Sequence, residues 1–428
     1  MMKFNVLFGL LLFALALQCN AQNQKSYLLK AGKLYDSENN IFVKDLEILI
    51  RGNRIAKVGK SLDIPENTEI IDFTNATVTP GLIDAHTHLL LEQKITDELV
   101  NDGILHSGES RLLRAISIGK TYLNAGFTSV RDLGNSGQYL DVELRNAINK
   151  GYVDGPRMFV SGPIIGSYDG QFGGLPFALH SQYTEMEYRT VNGVDDARLA
   201  VKEHRVQLVD VLKILAFGNM LSLRQEEIEA IVETAHENFL TVTAHADRDF
   251  VAQHAINAGV DGIEHNYNIS DKTIDLMVEK GVYFVPTYGS VDLMIIARKT
   301  HNMDYDEQQL RKENQPYNDR LMNALRKGVM IVAGSDAYND FGIPRGEASK
   351  YTILGYFDAG FKPSEALRTA TYNAAIALNR KDQLGVVKEN ALADIAVFDG
   401  DLEANFKEVL FKVKWVMKDG KIVYNSMD

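Results

Sequence analysis

Hydrophobic and polar positions divide this chain into two kinds of pattern. Over residues 26–72 the runs are short and alternate. Leu46-Glu47-Ile48-Leu49-Ile50 and Arg54-Ile55-Ala56-Lys57-Val58 flank the turn pair Gly52-Asn53, which predicts a β-hairpin. The other end of the chain does the same. Ala393-Asp394-Ile395-Ala396-Val397-Phe398 reads as a strand, and Trp415-Val416-Met417 and Lys421-Ile422-Val423-Tyr424 flank Asp419-Gly420, a second hairpin signal. Neither end is long enough for a core of its own. Together they predict one small β-sandwich built from both termini, residues 22–79 with residues 385–428.

Between them, residues 80–384 repeat a different unit. Asn124-Ala125-Gly126, Asn257-Ala258-Gly259, Glu279-Lys280-Gly281 and Arg326-Lys327-Gly328 each end a helical stretch in glycine, and a β-rich apolar run follows at once. Glycine stops a helix because it takes the left-handed backbone without a Cβ clash. Helix, glycine, buried strand is the joint of a parallel sheet. With the other apolar runs, the pattern predicts strands at 82–88, 128–132, 157–161, 211–215, 241–245, 262–265, 283–286 and 330–336. Eight such repeats predict an α/β fold of the TIM-type (β/α)8 barrel class rather than an open doubly wound sheet. No glycine-rich phosphate fingerprint follows the first strand.

Composition adds bounds. The chain is 45% hydrophobic and 24% charged, an ordinary globular balance. Acidic residues outnumber basic ones 57 to 45, for a net charge of -12, and there is no basic run, which argues against nucleic acid as a partner. The first residues differ from the rest. Lys3 is the only charge ahead of the apolar run 6–17, and Cys19-Asn20-Ala21 offers a small residue at a cleavage position, so residues 1–21 are predicted to be a signal peptide. That run is too short to span a membrane comfortably. The expectation is a secreted or periplasmic protein with no integral span after cleavage. The alternative is a lipoprotein signal using Cys19, the only cysteine, although Gln18 stands where such signals carry a small residue. Cleavage after Ala21 leaves no disulfide and no cysteine-ligated metal.

The chemistry concentrates at predicted strand ends, where a barrel of this class builds its active site. In Thr79-Pro80-Gly81-Leu82-Ile83-Asp84-Ala85-His86-Thr87-His88 the two histidines are two apart, so an extended strand presents both imidazoles to one spot. Imidazole is a common ligand of zinc-like ions. The fifth strand ends in His245, the sixth in His265 and the eighth in Asp336, while Lys213 sits inside the apolar strand Val211-Leu212-Lys213-Ile214-Leu215. Taken singly, His245 reads equally as a core histidine, His265 as a loop residue and Asp336 as a helix cap. Lys213 is harder to dismiss, because a buried ammonium without a partner is costly and tends to lose its proton.

These residues, with Thr128-Ser129-Val130-Arg131-Asp132, Thr243-Ala244-His245-Ala246, Ile263-Glu264-His265, Gly334-Ser335-Asp336 and Ala393-Asp394-Ile395-Ala396-Val397, give the chain its resemblance. It resembles the amidohydrolase superfamily of metal-dependent hydrolases, in the imidazolonepropionase-like and prolidase-like (Xaa-Pro or Xaa-amino acid dipeptidase) branch, over nearly all of residues 26–428. The resemblance implies two divalent metal ions, with zinc favoured by the ligand types. His86 and His88 would hold one and His245 and His265 the other. Lys213, carboxylated by carbon dioxide, would bridge them, and Asp336 would contact the first metal and shuttle protons as the catalytic acid and base. The implied reaction is hydrolysis of an amide bond in a small dipeptide or N-acyl amino acid by a metal-bridging hydroxide. The alternative is a mononuclear hydrolase or deaminase of a cyclic amide or heterocycle.

A substrate carboxylate calls for a cation or hydroxyl near the barrel mouth, and Tyr288, Arg345 and Asp169 are the candidate substrate-binding residues. Two of them mark departures from the family. Many relatives carry histidine at Arg345, and the loop Ile165-Gly166-Ser167-Tyr168-Asp169-Gly170-Gln171 departs from a common Gly-Gly-His-Gly pattern, with Asp169 near the expected histidine. The partner expected is a small-molecule substrate. A homo-oligomer is compatible with the sequence.

Overall fold

A computed structural model describes residues 25–94, 101–172, 175–218 and 220–427. The expected signal peptide and Cys19 lie outside the described residues. The chain opens with β1 (Ser26–Asp36), β2 (Ile41–Arg51), β3 (Arg54–Gly59) and β4 (Glu69–Pro80). The middle contributes β5 (Leu82–Thr87), β6 (Phe127–Asp132), β7 (Arg157–Val160), β8 (Ile164–Gly166), β9 (Tyr188–Thr190), β10 (Val211–Leu215), β11 (Thr241–His245), β12 (Gly262–Glu264) and β13 (Tyr283–Val285). The end supplies β14 (Ile395–Phe398), β15 (Val413–Lys418) and β16 (Lys421–Asn425).

Both chain ends build one seven-stranded sheet, ordered β16-β15-β14-β4-β1-β2-β3. The two hairpins form where the turn pairs stand: Arg51 opposes Arg54, and Lys418 opposes Lys421 across Asp419 (φ 50°) and Gly420 (φ 70°). Positive φ at both central residues matches the twist of the flanking strands. Strand β14 is buried on both faces. Its Ile395 and Val397 pack with Trp415 and Phe73 in the sheet's own core, while Ala396 and Phe398 pack with Leu82 and Phe127 of the middle segment. That explains why Ile395-Ala396-Val397-Phe398 is apolar throughout rather than alternating.

The middle segment is parallel. Strands β5-β6-β7 form one ladder and β13-β12-β11-β10-β8-β9 another. Seven of the eight predicted strands are present within a residue or two of their expected limits. The third is present as β7 but is followed by a break at Ser161, Gly162 (φ 67°) and Pro163: β7 pairs with β6, and its continuation β8 pairs with β10. The eighth segment, 330–336, forms only an isolated bridge, Ile331 with Phe284. It nevertheless touches strands on both sides. Val332 donates to the Phe284 carbonyl at 2.9 Å, while Ala85 donates to the Ala333 carbonyl and Asp336 to that of His86, each at 2.9 Å. It makes no ladder because Ala333 N–H goes to the Thr369 carbonyl, Ser335 N–H to the Asp84 carboxylate, and Asp336 turns to φ 52°. Between the two ladders, Asp210 N–H donates to the Val160 carbonyl at 2.8 Å.

The glycine stops act as the pattern requires. Gly281 (φ 71°) and Gly328 (φ 90°) cap their helices in the left-handed region, and Gly126 (φ 95°) and Gly259 (φ 94°) follow their caps by one residue.

Candidate metal centre

Because the central strands run in parallel, their last residues share one rim. There His86, His88, Lys213, His245, His265 and Asp336 line a single cavity of about 280 Å³. His86 and His88 do share a face. Their ring centroids are 5.2 Å apart, His86 lies 5.0 Å from His265, and His265 lies 4.5 Å from His245. One Asp336 oxygen, Oδ1, stands 3.3 Å from His88 Nε2 and 3.6 Å from His86 Nε2.

The His86 and His88 rings are each held by the far nitrogen. His86 Nδ1 is 2.7 Å from Glu264 Oε2, and His88 Nδ1 is 2.8 Å from the Gly134 carbonyl. A hydrogen bond from Nδ1 fixes the proton there and leaves Nε2 as a lone pair turned to the cavity. His265 Nδ1 meets Thr287 Oγ1 at 2.8 Å. Glu264 is itself fixed. Arg131, wholly buried, donates Nη2 to Glu264 Oε1 at 2.6 Å, Nη1 to the Tyr283 hydroxyl oxygen at 2.7 Å and Nε to the Ala85 carbonyl at 2.6 Å. Asp84 accepts from Ser335 N–H at 2.9 Å and from its hydroxyl at 2.6 Å, which ties the strand carrying His86 to the segment carrying Asp336. Gly334 permits that approach, since a Cβ there would lie 2.6 Å from His86 Cβ and 2.5 Å from Val285 Cγ1.

Four non-glycine residues at this rim take positive φ: His265 (73°), Asn266 (51°), Thr287 (46°) and Asp336 (52°). Such backbone is disfavoured, most of all for β-branched threonine, and collects where a side chain must be aimed against local preference.

Electrostatics prepare the donors. Burial, reinforced by the Lys213 charge, lowers His86 to about 4 and His245 to about 3, so both rings are neutral near pH 7. Burial and the His245 and Lys213 charges also push His265 well down. His88 moves up, because Asp336 and Asp132 outweigh the burial that opposes its charge. Burial works against Asp336 as a carboxylate, yet His86, His88 and Lys213 hold it below the ordinary range. Glu264, despite burial, is held at about 2 by Arg131 and His86. Lys213 is lowered to about 8 by burial, against the opposing pull of Glu264 and Asp336.

The donor set suits a divalent cation. His86 Nε2 and Asp336 Oδ1 are buried with no hydrogen-bond partner, and His86, His88 and Asp336 offer one ligand atom each within 4.8 Å of one another. Buried polar atoms are normally satisfied, and a shared cation is one partner that would satisfy these.

The three expected substrate-binding residues fare differently. Tyr288 lines an adjoining cavity and is buttressed by Asn314 and Asn318, its hydroxyl donating to Asn318 Oδ1 at 2.6 Å. Arg345 does not line the metal cavity. It is buried, donating Nη1 to the His88 and Leu91 carbonyls at 3.1 and 2.8 Å and Nη2 to that of Tyr338 at 3.3 Å. Its fork is occupied by backbone, so it braces the loop after β5. Asp169 likewise turns away, accepting from Ser167 Oγ at 2.7 Å and from the N–H groups of Met220 and Leu221 at 2.7 and 3.0 Å. Its neighbour Gln171 lines the cavity in its place. Sequence reasoning passed over Gln171, Asn135, Asp247, Tyr267 and Tyr338, which also line it. Asp247 had a signal, the same two-residue spacing from His245 that links His86 to His88. Glu264 and Arg131 had one too, as charges inside apolar strands.

The description of the amidohydrolase family matches residues 77–423. Over 387 residues the chain is 25% identical to ochratoxinase of Aspergillus niger, covering 83% of this chain and 78% of that protein. It is 24% identical over 397 residues to imidazolonepropionase of Caldanaerobacter subterraneus subsp. tengcongensis, covering 85% and 86%. The solved structure of a Xaa-Pro dipeptidase with bound methionine in its active site matches with a TM-score of 0.80 at 27% identity, over 94% of this chain and 100% of that one. The family match runs from the end of β4 into β16 and takes in every residue of the cavity, and this chain belongs to the amidohydrolase family.

Proposed function

We propose that the protein is a binuclear metal-dependent amidohydrolase that cleaves an amide bond in a small dipeptide or N-acyl amino acid. One observation carries this reading: six side chains from five separate segments meet in one buried cavity, two of them with unpartnered polar atoms facing each other. His86, His88 and Asp336 would hold one ion and His245 and His265 the other, with Lys213 between. Divalent cations there, zinc by ligand type, would supply Lewis-acid polarisation of the scissile carbonyl and acidify the attacking water.

The chain's own groups do the rest. At about 8, Lys213 has a neutral amine fraction near pH 7. That lone pair would add to the carbon of carbon dioxide, and the nitrogen would release a proton to solvent water, giving an anionic carbamate where a buried ammonium would be costly. Asp336, ionised and open at Oδ1, takes a proton from the attacking water and returns it to the leaving nitrogen. Glu264 and Arg131 keep His86 aimed while this happens.

The surrounding architecture is part of the proposal. Residues 80–384 form a (β/α)8 barrel, closed on one side by the segment 330–336 and on the other by Asp210 against Val160. Residues 22–79 and 385–428 form the small sandwich, and residues 1–21 direct export to the periplasm or beyond. A second reading, a mononuclear hydrolase or deaminase of a cyclic amide, draws on the three-ligand cluster His86, His88 and Asp336 and on the imidazolonepropionase relative.

The test is a library of dipeptides and N-acyl amino acids screened for released amine with zinc-loaded protein. At least one member should be cleaved, and Asp336→Asn should lower kcat by about 100-fold or more, the usual scale for a lost acid–base group. Full activity in that variant, or no cleavage across the library, would overturn the reading.

A further inference from the structure

At the end of the parallel strands opposite the metal rim, Arg157 opens β7 and meets the tip of the hairpin β15–β16. A cavity of about 510 Å³ lies there. Four cations line it, Lys150, Arg157, Lys418 and Lys421, against two carboxylates, Asp154 and Asp419. In a chain of net charge -12, that local excess of positive charge runs against the whole.

The hairpin sets two of these cations side by side. Lys418 and Lys421 are partners in the β15–β16 register, so their side chains leave the same face of the ribbon. Like charges placed directly opposite destabilise a strand pair unless something of opposite sign stands between them. Lys418 has little water to help it: its side chain is 14% exposed, and its ion-pair partner, Asp419 Oδ2, is 4.0 Å away, beyond hydrogen-bond reach. Burial lowers its ammonium, and the Arg157 and Lys421 charges push the same way against Asp419 and Asp394. Among the described residues, no hydrogen bond reaches the ammonium of Lys418, Lys421 or Lys150, and the last has only the Tyr152 ring at 5.9 Å.

Arg157 shows the same deficit from the other wall. Its Nη2 donates to Asp394 at 3.2 Å and to Asp419 at 2.7 Å, while its Nε is buried with no hydrogen-bond partner. Asp394 and Asp419 are thus engaged by the guanidinium, which leaves three ammoniums against Asp154. Buried polar groups are normally satisfied, and one anion would answer the orphaned Nε and the paired lysines together. A planar carboxylate is matched best by a guanidinium fork, and this fork is already committed. Ammoniums act as point charges and suit an oxyanion with oxygens on every side, and three of them against one free carboxylate call for two negative charges. We propose that this cavity binds a tetrahedral dianion, either an inorganic ion of the sulfate or phosphate type or the phosphate group of a monoester, which ties the hairpin at the chain's end to the start of β7.

The experiment is calorimetric titration of the zinc-loaded protein at constant ionic strength, with sulfate and separately with glycerol phosphate, in wild type, Lys418→Met and Lys421→Glu. Wild type should bind at least one of the two anions, and both variants should weaken that binding by about 10-fold or more, the scale of one lost charge-assisted contact, with metal content unchanged. Tighter binding of glycerol phosphate would uphold the site as one for a monoester, and tighter binding of sulfate would uphold it as one for the inorganic ion. Lys421 is exposed, so Lys421→Glu decides the matter if Lys418→Met fails to fold. No binding of either anion would overturn the proposal. So would equal binding in wild type and the folded variants, which would put the anion at the metal centre instead.

Discussion

Lys213 and Lys350 are both sealed from solvent, and burial lowers each ammonium to about 8. Their surroundings differ. Lys213 shares its cavity with Asp336 and four histidines, whereas Lys350 has the Phe411 ring 5.1 Å from Nζ and the Glu347 charge in its favour. Lys350 should therefore be a net burden on stability near neutral pH. Its folded pKa lies below the ordinary 10.5, so between about pH 8 and 10.5 the folded chain binds fewer protons than the unfolded one. Stability from this group consequently rises across that window, and the full penalty is present below it. Lys350→Met should stabilise the protein at pH 7, by on the order of 1–3 kcal/mol, and the gain should shrink toward pH 10. Chemical denaturation at the two pH values checks this; a variant less stable than wild type at pH 7 would refute it. Residues of this kind also mark how far the sequence could be read. Lys213 was conspicuous because an apolar strand surrounds it. The partners of Arg345 and Asp169 are not legible in the sequence, because a charge in a loop after a strand has the same local signature whether it meets substrate or backbone, and only long-range contacts separate the two.

Among the elements, the segment 330–336 has the most demanding position. It bonds to β13 on one side and to β5 on the other, yet gives part of its hydrogen bonding to Thr369 and Asp84 so that Asp336 can turn inward. Gly334 is the point of closest approach. Gly334→Ala should push the segment off His86 and Val285, costing about 1–3 kcal/mol as overpacking does. Metal retention should fall with it, because His86 and Asp336 move apart. Thermal unfolding and metal content read the two effects, and a variant unchanged in both would contradict the assigned packing. The glycine-stopped helices and the apolar strands after them were legible because local backbone chemistry determines both. Strands β8 and β9, three residues each, were not. Nothing periodic can appear in three residues, and the break at 161–163 that creates β8 becomes meaningful only once its partner strand is known.

At the scale of the whole molecule, the two ends and the middle are interlocked. Strand β4 runs through Pro80-Gly81 into β5, β14 packs on both cores, and Arg157 at the start of β7 reaches Asp394 at 3.2 Å and Asp419 at 2.7 Å. That both termini build one module was readable from two matching hairpin signals. How its strands order, with β4 between β1 and β14, depends on a parallel β1–β4 pairing and on a β4–β14 pairing across more than three hundred residues, neither of which a local pattern encodes. The interlock positions the candidate metal centre, since β5 carries His86, and His88 just past its end, directly from the sheet of the termini to the rim of the cavity. The proposed centre holds two ions there with Lys213 between them. Metal analysis of purified wild type and Lys213→Ala tests it, paired with turnover of the best amide found. Two divalent ions per wild-type chain are expected, falling to one or none in Lys213→Ala with turnover reduced by about 100-fold or more, in line with loss of metal-assisted catalysis. One ion per wild-type chain, with full turnover retained in Lys213→Ala, would contradict the account.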